Sequence, residues 1–435
     1  VRWQIALLIA VVSAVTYIDR LNFAIAGSAI QTEFHFSTAT MGWLLSAFVL
    51  GYALFQIPNG WLADRLGGRR MMTFAVIWWS AFTAATALAP RWHLVGWFSI
   101  AWAFGVVRFL VGVGEAAAWP TASRMVGLWL GEDQRGMGSS LNLIGVGASG
   151  LMAPLLIAWI LGLYGWRPAF LLCAAMGLVL AVVWYVLTRD RPEEHPGVNA
   201  AELAEIHAGE LASPPAVPST RVLYRTMLAS RSVWGLSLGY FCPGYPIYIF
   251  HTWFFIYLVR VRHLSLLRSG VWDSGPYLAI LILAPLGGWL SDRASLWLGR
   301  TSGRRLAAAA GMIASAVLLW TGAHATSQPL ALTLLCCAAG FNMFGAASWW
   351  ATTIDLLPQA TASLAGVMNA FGNLGGWAAP IATGYFAVAF GWTFALDVAA
   401  LVSLAGAALW FLVDAGQPLT LPDIRSEGLA STPRP

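Results

Sequence analysis

Asp19 and Arg20 are adjacent charges inside a stretch that is otherwise apolar, from Trp3 to Ile18 before them and from Leu21 to Ile30 after. A charge near the centre of a bilayer costs roughly 2.5–3.5 kcal/mol on insertion scales, so an ionisable residue there marks a functional site by default. On a helix the two side chains point about 100° apart, so each needs its own partner. Tyr17 precedes Arg20 by three residues and shares its face. The planar fork of Arg20 suits a carboxylate, and we assign it to an anionic substrate with Tyr17 beside it. A structural ion pair with another helix is the alternative. Asp19 can be protonated where arginine cannot, so it is a proton-coupling candidate or, alternatively, the structural partner of an arginine. Arg108 and Glu115 lie seven residues apart, on one helix face and about 10 Å apart along its axis. Two cations and two anions therefore share an apolar interior, either as a working set or as a balanced structural network.

The elements that must hold these charges are membrane helices. The chain has 435 residues, 59% hydrophobic and only 10% charged, with a mean hydropathy of +0.70. A helix needs about 20 residues to cross a bilayer. Twelve apolar runs are long enough, near 3–28, 41–62, 71–89, 95–122, 136–161, 166–187, 233–258, 270–290, 305–324, 329–350, 362–387 and 391–413. All 24 basic residues are arginine, which excludes a P-loop ATPase and any Schiff-base cofactor held on lysine. Cys173, Cys242, Cys336 and Cys337 fall inside the runs without metal-ligand spacing and read as packing residues. No cofactor or metal is expected. The chain begins with valine, so the natural N-terminus is expected to lie upstream, and no cleaved signal peptide is visible.

Arginine counts in the connections set the orientation. Arg2, Arg65, Arg69, Arg70, Arg124, Arg135, Arg189, Arg191, Arg221, Arg225, Arg231, Arg293, Arg300, Arg304, Arg305, Arg425 and Arg434 fall on one side. Arg91, Arg167, Arg260, Arg262 and Arg268 fall on the other. The positive-inside rule then puts both termini in the cytoplasm, and the net charge of +5 reflects topology rather than nucleic-acid binding. A polar segment divides the chain into residues 1–188, a linker at 189–231, residues 232–414 and a tail at 415–435. Within the linker, Asn199 to Leu211 has an N-cap and helical spacing and is expected as a short surface helix.

The two halves repeat. Gly60-x-x-x-Asp64-Arg65 returns as Gly288-x-x-x-Asp292-Arg293, Asn142 with Pro154 as Asn369 with Pro380, and Gly165-Trp166 as Gly391-Trp392. The shift equals six spans, so both halves insert with one polarity, as in transporters that rock one half against the other. The second half has no counterpart of the charges at 108 and 115, where Leu335 to Asn342 stands. It offers a polar and aromatic wall instead: Tyr248 and His251, Trp350, Asn369 and Asn373, with Tyr52 as the aromatic residue of the first half. Asp273 and Asp397 fall near the outer ends of their spans and read as interfacial or cap-like.

The loop Gly60-Trp61-Leu62-Ala63-Asp64-Arg65-Leu66-Gly67-Gly68-Arg69-Arg70 resembles the signature of the major facilitator superfamily. That resemblance implies an all-α fold of twelve transmembrane helices in two six-helix halves. It also implies that Asp64, Arg65, Arg69 and Arg70, with Gly60, Gly67, Asp292 and Arg293, form a charge clasp that stabilises the outward-facing state. Tyr17-Ile-Asp19-Arg20-Leu-Asn22 and Arg108-Phe-Leu-Val-Gly-Val-Gly-Glu115-Ala-Ala-Ala-Trp-Pro120 are similar to segments of the anion:cation symporter family. So are Arg191-Pro-Glu-Glu-His-Pro196-Gly and Thr252-Trp-Phe-Phe-Ile-Tyr-Leu. The family resemblance implies Glu115 as a second proton carrier, Arg108 as the gating or structural partner that tunes it, and Trp350 and Asn369 on the wall of a sugar-acid site. Val146 stands where sugar-acid members carry an amide.

These readings lead to a non-enzymatic, monomeric transporter in the inner membrane of a prokaryote. It would carry a small organic anion, first a hexuronate, aldonate or aldarate, together with protons into the cytoplasm. Sodium coupling, an aromatic or dicarboxylate substrate, and a non-transporting anion sensor are the alternatives. A membrane enzyme would need a catalytic constellation, and the sequence has no H-E-x-x-H and no histidine beside a reactive serine or cysteine.

Overall fold

The computed structural model describes residues 1–36, 38–90, 99–207 and 219–420, and among these every regular element is a helix. Before the linker come α1 (Arg2–Phe34), α2 (Thr38–Leu66), α3 (Gly68–Leu88), α4 (Ile100–Glu115), α5 (Ala118–Trp129), α6 (Arg135–Tyr164) and α7 (Trp166–Leu187). Two short helices follow, α8 (Ala200–Ile206) and α9 (Thr220–Ala229). The second half holds α10 (Arg231–Thr252), α11 (Phe254–Arg260), α12 (Leu266–Asp273), α13 (Gly275–Leu298), α14 (Arg300–His324), α15 (Gln328–Phe344), α16 (Ala346–Leu356), α17 (Thr361–Ala389) and α18 (Trp392–Leu409).

Ten helices or end-to-end helix pairs are long and apolar enough to cross a membrane. The other two of the twelve expected runs are α10 with α11, and α17. Both have the length, but Pro243, Pro246, Tyr240 and Tyr248 in one and Asn369, Asn373 and a run of glycines in the other lower their apolarity. The polar content that weakens the membrane signal thus belongs to helices that face the protein interior.

The fourth span breaks between α4 and α5. Pro120 has no N–H to give the carbonyl of Ala116, and its ring crowds that carbonyl. The α4 helix therefore ends at Glu115, and Ala116 and Ala117 form a turn before α5 begins. The tenth span breaks at the matching place, at Gly345 between α15 and α16. Within each half the same pairs recur. The α1 helix packs on α6 as α10 packs on α17, and α3 packs on α7 as α14 packs on α18. Across the halves the main contacts are α2 with α17 and α6 with α13.

The linker lies against one end of the bundle. Asn199 caps α8 by accepting the N–H of Glu202, as expected, and the helix is described to Ile206; Leu211 lies outside the described residues. Glu202 in turn accepts the backbone N–H of Arg2 at 2.8 Å, and Arg2 pairs with Glu205. Arg305 donates to the carbonyl of Val413 at 3.1 Å. Both ends of the described chain therefore sit on the face that carries the linker. Arg91, Arg425 and Arg434 lie outside the described residues.

The sequence alone places Arg124, Arg135 and Arg304 in loops. They belong instead to α5, α6 and α14, where Arg135 and Arg304 are buried and all three are paired with carboxylates. A charge at a helix end reads as a loop charge until its partner, here on a distant segment, is known.

Candidate functional site

A cavity lies between the halves. Tyr17 and Arg20 of α1, Tyr52 of α2, Tyr248 and His251 of α10, Trp350 of α16, and Asn369 and Asn373 of α17 all line it. These are the eight binding candidates read from the sequence, brought together from five helices. Val146 of α6 lines it as well. Trp119 and Tyr240 are lining residues that the sequence reading missed. Trp119 lies within the quoted Arg108–Pro120 motif, which was the available signal, whereas nothing in the sequence separates Tyr240 from a packing tyrosine.

The four charges divide between the wall and the interior behind it. Arg20 Nε donates to Glu115 Oε2 at 2.7 Å. Its guanidinium carbon stands 4.3 Å from the ring centre of Tyr52 and 4.8 Å from that of Tyr17, an arrangement in which the ring faces attract the cation. Arg20 Nη2 has no partner among the described residues. Glu115 is wholly buried, and its second oxygen is also without a partner among the described residues. Arg108, expected as the gating or structural partner that tunes Glu115, does not bond it directly. Arg108 makes no ion pair among the described residues and lies over the rings of Phe23 and Phe48, at 4.5 and 4.7 Å. Asp19 is buried, and among the described residues neither carboxylate oxygen has a hydrogen-bond partner. Asp19, Arg108 and Glu115 therefore lie off the wall, and Arg20 alone joins the cavity to the charges behind it.

The remaining wall is a connected set of rings and amides. Asn369 Nδ2 donates to the Tyr52 hydroxyl at 3.4 Å, and the Tyr248 hydroxyl donates to Asn373 Oδ1 at 3.4 Å. Trp350 Nε1 donates to the Tyr240 hydroxyl at 2.9 Å. The Trp350 ring packs on Trp119 at 4.9 Å, so one ring from each half forms the floor toward the linker face. His251 stacks on Tyr277 at 5.8 Å. Asp397 lies 3.7 Å from His324 and, like Asp273, takes no part in the cavity wall.

Comparison with known proteins fixes the family. The sequence model described as Major Facilitator Superfamily matches residues 9–380. The chain belongs to the major facilitator superfamily. Among its relatives is GudP of Escherichia coli K12, described as a probable galactarate/D-glucarate transporter, 32% identical over 88% of this chain and 86% of that protein. The D-galactonate transporter of Escherichia coli O6:H1 is 30% identical over 95% of each. These relatives bear out the resemblance to the organic-anion symporters. The outward-conformation structure of FucP, a major facilitator, has the same fold, with a TM-score of 0.71 at 16% identity over 94% of this chain and 98% of that one.

In this facilitator the signature loop ties the halves together at the linker face. Asp64 accepts the backbone N–H groups of Ala362 and Ser363 at 3.1 and 2.6 Å, at the start of α17, and a hydrogen bond from Arg124 at 3.0 Å. Asp292 does the same in the repeat, accepting the N–H groups of Gly136 and Met137 at 2.8 Å each and a bond from Arg304. Carboxylates at helix starts meet unpaired N–H groups and the positive end of the helix dipole. Gly60 allows the close approach, since a Cβ there would lie 2.3 Å from the carbonyl oxygen of Ala362. Gly67 has φ +87°, and a side chain at it would collide with Asp190, whose Oδ1 accepts the Arg69 N–H at 2.8 Å. Arg65 bonds Thr220 at 3.2 Å, while Arg70 and Arg293 are exposed.

A second set of bonds at this face has no precedent in the motif. Asp355 of α16 pairs with Arg135 of α6 at 3.1 Å and with Arg304 at 3.0 Å, all buried. Ser123 and Thr353 hydroxyls meet at 2.9 Å, and Arg300 pairs with Glu132. The linker side of the cavity is thereby closed by polar contacts between the halves.

Proposed function

We propose that this transporter carries an organic anion into the cytoplasm together with protons, with sugar acids as the first substrate class. The observation that carries the reading is the state of Arg20. It lines the cavity, holds Glu115 through Nε and keeps Nη2 without a partner among the described residues. A substrate carboxylate would supply that partner. A proton on Glu115 weakens its hold on Arg20 and leaves the guanidinium for the anion. A proton on Asp19 removes an unpaired buried charge, which low-dielectric surroundings otherwise penalise heavily. The substrate class rests on the relatives, GudP and the D-galactonate transporter.

In this reading the linker face is cytoplasmic, in a prokaryotic inner membrane, and the bodies formed by residues 1–188 and 232–414 rock about the cavity. The contacts of Asp64, Asp292 and Asp355 hold the cytoplasmic side shut while the anion enters from the other side. Anion binding neutralises Arg20 and lowers the cost of closing over it; the contacts then part and the anion and protons leave. Each charge moved across 100 mV is worth about 2.3 kcal/mol, so more protons than substrate charges must move for the potential to drive uptake.

The test is uptake of labelled sugar acids into proteoliposomes under an imposed proton gradient. Uptake should follow the gradient, persist when choline replaces sodium, and lose its proton dependence in Asp19→Asn and Glu115→Gln. Uptake indifferent to the gradient, or dependent on sodium, overturns the coupling scheme.

A further inference from the structure

Among the described residues, Arg20 and His251 are the only basic side chains on the cavity wall, and no acidic side chain lines it. Arg20 has one donor committed to Glu115, and its buried Nη2 has no partner among the described residues, which leaves donors for one carboxylate. His251 is held differently. Its ring lies flat on Tyr277, 10° from parallel, and edge-on to Tyr248 at 5.6 Å. A proton on His251 would add a second positive charge to a cavity that holds Arg20 and no carboxylate, so His251 is assigned as neutral.

The rest of the wall supplies no further countercharge. Leu143 and Val146 of α6, Ile247 of α10, Ile280 of α13 and Met343 of α15 present apolar surface from both halves. Asn369, Asn373 and the tyrosines can meet hydroxyl groups. An ionised carboxylate, however, is far more costly to bury without a counter-ion than a hydroxyl.

Resting on the transport reading above, we infer that this cavity takes organic acids with a single carboxylate, bound at Arg20, and rejects their dicarboxylate counterparts. The inferred selectivity differs from the substrates described for GudP, galactarate and D-glucarate, which carry two carboxylates.

The experiment is thermal unfolding of the purified full chain in detergent at neutral pH, titrated with gluconate, glucuronate, benzoate and glucarate. Gluconate and glucarate share a six-carbon hydroxylated chain and differ at the end that carries the second carboxylate. A ligand that binds the folded state raises the unfolding temperature by mass action. At least one monocarboxylate should stabilise the protein, and glucarate should need at least about tenfold more for the same shift. Glucarate acting at an equal or lower concentration overturns the single-carboxylate site and leaves the transporter reading standing. No shift with any of the four acids overturns both.

Discussion

Arg20 Nε and Glu115 Oε2, on different helices, are joined at 2.7 Å, and this bond crosses from the cavity wall to the interior of the first half. Glu115 is the last residue of α4, where Pro120 ends the helix. The break that interrupts a membrane span thus also sets the position of the carboxylate that holds the anion-binding candidate. A charge change at Glu115 is felt at the wall without Glu115 touching a ligand.

Replacing Arg20 by lysine keeps the charge but removes the fork and much of the attraction to the Tyr52 and Tyr17 rings. Arg20→Lys should raise the apparent Kd for a stabilising acid by about tenfold or more, the scale of one charge-assisted hydrogen bond. Glu115→Gln should retain binding, because the fork remains. Titrations of both variants by thermal shift decide the matter; full affinity in Arg20→Lys contradicts the assignment of Arg20.

Asp355 holds two buried arginines, one from each half. Breaking a buried pair by removing one partner costs about 3–5 kcal/mol. The share of that cost that comes from the Arg135 pair, which crosses between the halves, falls on the state in which the linker face is closed. Asp355→Asn should therefore shift the protein toward linker-face opening. A cysteine at Ser123, buried in the closed face, should then react several-fold faster with a membrane-impermeant thiol reagent. Unchanged reactivity means that Asp355 is not part of the closure.

Gly60→Ala places a methyl group 2.3 Å from the Ala362 oxygen. Overpacking of this kind costs about 1–3 kcal/mol, and here it opposes the approach of α2 to α17. The variant should bind ligand with little loss yet transport slowly. Equal loss of binding and uptake in paired assays argues for general misfolding instead.

At the opposite face the Arg167 hydrogen bonds hold the Glu33 carboxyl below the usual carboxylate range, against the effect of burial and with help from the Trp166 indole N–H. A carboxylate favoured in this way contributes stability that is complete at neutral pH and lost as pH falls through its folded-state value. The pair is more than a third exposed, so its worth is only about 0.2–1 kcal/mol. Glu33→Gln should lower stability slightly at neutral pH and narrow toward no effect in acid, as read from unfolding curves at several pH values.

The cavity was legible in the sequence because its residues are anomalies in apolar spans. Arg20, Asn369, Asn373 and His251 stand out where carbon is expected, and the internal repeat tells which spans face each other. The pairing of charges was not legible. The resemblance implies Arg108 as the partner that tunes Glu115, but the direct bond to Glu115 comes from Arg20 on another helix. Asp355 was missed because a single acid near the end of a span looks like a loop residue, while its partners lie 220 and 51 positions away in the chain. Local periodicity carries no record of such separations.

The contacts of Asp64 and Asp292 have an asymmetry with a consequence for how this protein can change. Each acid reaches across to main-chain N–H groups, at positions 362 and 363 and at 136 and 137. On the receiving side there is no side chain to lose. Any residue but proline keeps the required N–H there, subject only to fit. For these main-chain contacts the inherited risk is concentrated on the two aspartates and on Gly136, where a Cβ would lie 2.7 Å from the Asp292 carboxylate, while positions 137, 362 and 363 keep their N–H through changes of side chain that fit.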